Sequence, residues 1–130
     1  MWIGGLRGWP ESLREELALL LDRREIFLPV VVRLELLAGA SQKQQPLLAK
    51  TLAALPSAEP SLATWARIEG WIQAASARGK QFGIPDLLLA ALAAESAAPV
   101  WSLDRAFPTM AEFGWIKLYE PEIARGVRIQ

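Results

Sequence analysis

Three short apolar runs, separated by segments of helical spacing, constrain the fold of this chain more than any other feature. Ile26, Phe27 and Leu28 form the first and Pro29 closes it; residues 99–103 form the second, and residues 115–119 the third. A strand covered on both faces reads as an unbroken apolar run, and strands joined through helices pair in parallel. The succession strand, helix, helix, strand, helix, strand therefore predicts an α/β domain with a mostly parallel sheet flanked by helices. Ligand sites in such sheets gather beyond the carboxyl ends of the strands, so an acidic residue just after a strand is expected at that rim.

The intervening segments carry their own signals. Leu13, Leu17, Leu20 and Leu21 form an apolar stripe behind Pro10 and Glu11, which suit a first turn, and predict a helix over residues 10–23. Residues 30–39 are divided: three valines favour a strand, while the Leu/Glu/Ala half and the stopping Gly39 favour a helix. Residues 43–55 read as helical despite Pro46, and Pro56-Ser57 with Pro60-Ser61 read as a loop. Leu62, Trp65, Ile68, Trp71, Ile72 and Ala75 recur at three- and four-residue spacing, which predicts an amphipathic helix over residues 61–78, ending near Gly79. Asp86 opens a Leu/Ala-rich helix that runs to about Glu95. At 130 residues, without repeats or low-complexity linkers, the chain is expected to form a single domain over residues 1–130, with 120–130 as a C-terminal tail.

Composition narrows the chemistry. Neither Cys nor His occurs, which excludes disulfide scaffolds, thiolate nucleophiles, the Cys/His zinc sites, imidazole acid–base catalysis and the Ser-His-Asp triad. Carboxylates working with a hard divalent cation survive this filter. Lys and Arg total 14 and Asp and Glu total 14, so the net charge is zero and any contact with a polyanion must be local. The longest apolar run, residues 87–94, falls far short of the roughly 20 residues a membrane-spanning helix needs. The start, Met1-Trp2-Ile3-Gly4-Gly5, has no basic or apolar region of a secretory signal. A cytoplasmic location with no membrane association is expected, and a mean hydropathy of +0.20 points to a homodimer.

Only three of the acids are Asp: Asp22, Asp86 and Asp104. Asp104 follows the second apolar run and is placed at the sheet rim; taken alone, it reads rather as the N-cap of the next helix. Asp86, between Ile84-Pro85 and Leu87, admits the same two readings. Glu35 lies among Leu34, Leu36 and Leu37, so it is expected on a largely buried segment, where it needs Arg33, another Arg or a metal as partner. Arg7, Arg33, Arg105 and Lys80 are candidates for holding phosphates, each equally readable as an ordinary surface cation. The six Trp read as core and interface residues rather than base-stacking platforms.

Taken together, Leu28 to Ala40 around Glu35-Leu36-Leu37-Ala38-Gly39, Ile84 to Ala93 around Asp86, and Trp101-Ser102-Leu103-Asp104-Arg105-Ala106-Phe107 resemble the PIN-domain family, and within it the VapC-type toxins of bacterial toxin–antitoxin pairs. Gly114 to Tyr119 resembles their closing strand. The resemblance runs from about Trp2 to Tyr119. It implies a three-layer α/β fold in which residues 30–40 are helical and Glu35, Asp86 and Asp104 converge at one end of a parallel sheet to bind Mg²⁺ or Mn²⁺. Ser102 would support that site as a small hydroxyl residue. The implied activity is metal-dependent endoribonuclease cleavage of RNA, with an antitoxin protein and a second copy of the chain as partners. Family members begin with a strand ending in Asp. Here Trp2 to Gly8 matches only the segment after that strand, so the first strand and its Asp are expected to be missing and the sheet to be completed by an earlier natural start, by residues 126–129 or by a partner chain. That loss also supports an alternative, a catalytically impaired PIN-like module that dimerises and binds an antitoxin.

Overall fold

The computed structural model describes residues 2–3, 12–13, 15–16, 19, 27–55 and 58–120. In chain order the elements are strand β1 (Trp2–Ile3), helices α1 (Val30–Gly39), α2 (Gln45–Ala53), α3 (Leu62–Ala77) and α4 (Ile84–Ser96), strand β2 (Val100–Trp101) and helix α5 (Ala106–Glu112). Ser12, Leu13, Glu15, Glu16 and Leu19 are helical, in line with the helix expected there, whereas Leu17, Leu20 and Leu21 lie outside the described residues.

Helix prevails over the valine-rich propensity of residues 30–39 because burial, not intrinsic preference, decides a divided segment. Val32 packs with Leu28, Leu52, Leu55 and Trp101 in one core cluster, and Leu36 and Leu37 lean on it. The Arg33 guanidinium ties the same helix down, donating from Nε to the Leu28 carbonyl at 3.2 Å and from Nη2 to the Leu55 carbonyl at 3.4 Å. Pro46 is tolerated because it falls in the first turn of α2, where its missing N–H has no helical acceptor. Ser61 caps α3 through a capping box: its hydroxyl accepts from the Thr64 N–H at 3.3 Å while Thr64 Oγ1 accepts from the Ser61 N–H at 2.9 Å.

A helix apolar on every side belongs inside, and α4 is of this kind, burying Leu87, Leu89, Ala90, Ala91, Leu92 and Ala93. Its contacts with α3 and α5 build the larger core, with Ile68, Val100, Phe107, Met110 and Ile116. Thr64, fully buried in α3, donates from Oγ1 to Glu95 Oε2 at 2.9 Å, and Arg67 Nε lies 3.8 Å from Glu95 Oε1, so α3 and α4 are joined by polar contacts as well as by their apolar packing.

The strands are shorter than the apolar runs suggested. β1 pairs in parallel with β2, Trp2 opposite Val100 and Ile3 opposite Trp101. On its other side Val100 forms a parallel bridge with Leu118, its N–H donating to the Lys117 carbonyl and its carbonyl accepting from Tyr119, both at 2.8 Å. The run at 99–103 thus keeps two strand residues and the run at 115–119 a single bridge; in the run at 26–28 Phe27 is a bridge position and Ile26 lies outside the described residues. Local turns explain the truncation. Ser102 Oγ accepts the Asp104 N–H at 3.1 Å and bends the chain straight after Trp101. Gly114, at φ +80°, and the Trp115 N–H bonded to the Met110 carbonyl hold the third run in the exit turn of α5. The broad parallel sheet is therefore not seen among the described residues, although the pairing that is present is parallel. Trp2 and Ile3, expected to come after a missing first strand, are themselves the strand beside β2. Residues 4–8, with Arg7, and residues 126–129 lie outside the described residues.

Candidate active site

Three helix N-termini meet around one pocket of about 110 Å³. Pro29 and Val30 enter it from the start of α1, Pro60 from just before α3, and Pro85 and Asp86 from the first turn of α4. Val32, Leu88, Leu89 and Leu92 complete an apolar wall, and the carboxylates on the lining are Glu35 and Asp86. Each proline sits where the chain enters a helix, which is where a fixed φ and a missing N–H are best tolerated.

Asp86 is the third residue of α4, after the N-cap Gly83, and is half-buried. Its carboxyl is held above its ordinary value of 3.8, first by burial and then by repulsion from the Asp104 and Glu35 charges. The positive end of the α4 dipole favours a carboxylate there, but burial and two like charges outweigh it. Gly83 stands close by: a Cβ added there would lie 3.9 Å from Asp86 Oδ2.

Glu35 is exposed at the pocket mouth, which corrects the expectation of a buried carboxylate. Burial of Val32 and packing of Leu36 against Leu28 and Leu52 fix the roll of α1, and that roll leaves Leu34 and Glu35 on the solvent side. Asp104 is exposed as well. Its Oδ1 accepts the Ala106 N–H at 2.9 Å, an Asx-type turn around Arg105, the N-cap of α5, while its charge reaches Asp86. Ser102 supports this turn, since its hydroxyl accepts the Asp104 N–H. Among the candidate cations, Arg33 is turned to the Leu28 and Leu55 carbonyls, Arg105 is exposed beside Asp104, and Lys80 is exposed after α3.

The donor set suits a hard divalent cation in kind, being carboxylate oxygens that repel one another when nothing neutralises them. Among the described residues no three acidic groups stand close enough to hold a metal ion together. Magnesium does not require three: it keeps several waters and commonly takes one or two carboxylates plus substrate phosphate. Asp86 and Glu35 line one pocket and are the residues that could supply those oxygens, with Asp104 as a neighbouring charge.

Comparison with protein-family models matches the PIN domain over residues 2–113. The chain belongs to the PIN domain family. PIN domains are generally divalent-metal-dependent nucleases acting on RNA or DNA. The match begins at β1 and ends just past α5, so it takes in every named element of the fold. No curated protein matches the chain. No helix among the described residues is long and apolar enough to cross a membrane. The apolar pocket beside the acids is a feature that the sequence motifs do not announce. Its signal is the recurrence of Pro29, Pro60 and Pro85 at three helix entries, which a motif-by-motif reading treats as separate punctuation.

Proposed function

We propose that this PIN domain is a VapC-type toxin ribonuclease, hydrolysing RNA phosphodiesters with Mg²⁺ (or Mn²⁺) bound by Asp86, with Glu35 as the second carboxylate at the ion and Asp104 acting through water. The observation that carries the reading is the meeting of Asp86 and Glu35, far apart in sequence, on the lining of one pocket, with the charge of Asp104 also reaching Asp86. When bound, the cation supplies a Lewis acid and a water of lowered pKa for in-line attack. Asp86 and Glu35 provide the oxygen donors. Pro29, Val32 and Leu88 keep water from one side of them, which strengthens every charge interaction at the pocket. The N-terminus of α4 directs unpaired N–H groups and a positive dipole end to the same place, favourable to a phosphate. Ser102 and the Ala106 N–H hold Asp104 in one orientation, so that its charge is fixed relative to Asp86.

In this reading the protein is cytoplasmic, forms a homodimer and is silenced by an antitoxin protein. Large exposed apolar side chains, Leu62 at 89% and Leu47 at 72%, support association with partners. Purified protein incubated with RNA and Mg²⁺ is expected to cleave, and Asp86→Asn to lower the rate at least a hundredfold with the fold retained. Equal cleavage by both proteins, or the same cleavage in excess chelator, removes the proposal.

One observation favours the second reading, a catalytically impaired binding module: Asp104 Oδ1 is engaged by a backbone N–H. That reading predicts stable association with no metal-dependent cleavage under any divalent cation.

A further inference from the structure

Four aromatic rings cluster outside the acidic pocket. Trp71 and Trp115 stack in parallel at 4.7 Å. Phe113 meets Trp115 edge-on at 5.1 Å, and Phe82 meets Trp115 at 5.8 Å and Phe113 at 6.2 Å. All four are half-buried. Trp71, Phe82 and Trp115 rest against the larger core, whereas Phe113 lies outside that packing, and the Arg78 guanidinium sits over its ring at 4.2 Å.

Arg67 lies over the Trp71 ring at 5.9 Å but is paired with Glu95 at 3.8 Å, and the chain brings two further cations to this side of the molecule. Gly79, at φ +70°, closes α3 with the Lys80 N–H bonded to the Ala75 carbonyl at 2.9 Å, a turn that brings Arg78 and Lys80 out on the surface. Residues 70–85 contain these two cations and no acid, within a chain of zero net charge. Glu112, next to Phe113, is the neighbouring acid in sequence. Phe82 precedes Asp86 by four residues, a span of at most about 14 Å. A stacked single strand rises about 3.4 Å per nucleotide, so Phe82, the nearest member of the cluster in sequence, lies within roughly four nucleotides of Asp86, and Phe113 and Arg78 lie further along the strand.

We infer that Arg78, Lys80, Phe82 and Phe113 form an accessory site for single-stranded RNA, flanking the scissile phosphodiester. A base stacks on the outer face of the Arg78 guanidinium, which Phe113 holds flat from beneath, while Lys80 takes an adjacent phosphate. Unstacked bases are needed for this, so the site selects single strands over duplex. The inference rests on the proposed action on RNA, and it adds where the strand is held.

The test uses the Asp86→Asn protein in chelator and a fluorescently labelled ten-nucleotide RNA of mixed sequence, read by anisotropy over a salt series. The single strand is expected to bind at least tenfold more tightly than the same sequence as a duplex. Arg78→Ala with Lys80→Ala is expected to weaken binding about tenfold and to reduce the salt slope by about 1.4, two cations at about 0.7 each. Phe113→Leu is expected to weaken binding severalfold with the slope unchanged. In an otherwise intact enzyme, the double variant is expected to leave hydrolysis of bis(p-nitrophenyl) phosphate unaltered, since that ester is too short to reach the cluster. Near-UV circular dichroism of the Trp71–Trp115 pair verifies the fold of each variant. Unchanged affinity and slope in the folded double variant overturns the inference, as does duplex binding equal to single-strand binding. Metal-dependent cleavage lost in the parent protein, with this binding intact, removes the nuclease reading and leaves the site standing.

Discussion

Two single residues carry conformational or electrostatic cost that mutation can expose. Asp86 is protonated more readily in the folded chain than in the unfolded one, because burial and the charges of Asp104 and Glu35 raise its pKa above 3.8. The native state then holds the extra proton, so the contribution of Asp86 to stability is greatest below 3.8 and is lost as pH rises through the raised value. Asp86→Asn is therefore expected to melt at a higher temperature than the parent at neutral pH without divalent ions, and the two curves to converge under acid; a lower melting temperature for the variant at pH 7 contradicts this. Ala97 ends α4 at φ 53°, a left-handed conformation that costs a residue bearing a Cβ about 1 kcal/mol relative to Gly. Ala97→Gly is expected to stabilise the fold by about 1 kcal/mol, measured by urea denaturation. Glu35 marks the limit of local sequence at this scale. Its apolar neighbours in the chain indicate burial, but which side of a helix faces inward depends on Leu28, Leu52 and Leu55, and those contacts are not written in the local string.

At the scale of elements, helices were more legible than strands. Regular apolar spacing located α3, and the Leu/Ala run located α4, because a helix satisfies its own backbone; the spacing did not give the buried face of α3, where Ile68 and Ala75 are buried with Thr64 while Leu62, Trp65 and Ile72 of the stripe are exposed. Strands of two residues depend instead on partners far away in sequence: Val100 needs both Trp2 and Leu118. Apolar composition showed that residues 99–103 are inside, and Val100 and Trp101 are, but the Ser102 turn that stops the strand is a side-chain event. The capping box of α3 invites a direct test. Ser61→Ala removes the acceptor of the Thr64 N–H and is expected to cost about 1 kcal/mol, seen as a lower denaturation midpoint with unchanged m-value. Phe107, 1% exposed in α5 against α4, is expected to cost about 3–5 kcal/mol as Phe107→Ala, a large share of the stability of a small domain, seen as a lower urea midpoint.

For the whole molecule, a chain of zero net charge without Cys or His has few ways to process a polyanion, and hard carboxylates with a divalent cation are the way its family uses. The acids were legible as a set only through the order of three motifs; their individual surroundings could not be read, and the structure finds two of the three exposed. The pocket at the three helix entries, absent from any motif, is lined by the half-buried Asp86. The proposal turns on whether Asp86 anchors a divalent cation, and calorimetric titration of the parent protein and Asp86→Asn with Mg²⁺ and Mn²⁺ tests this most directly. The account predicts saturable binding to the parent that weakens at least tenfold in the variant. Identical isotherms for the two proteins, or no binding to either, would contradict it.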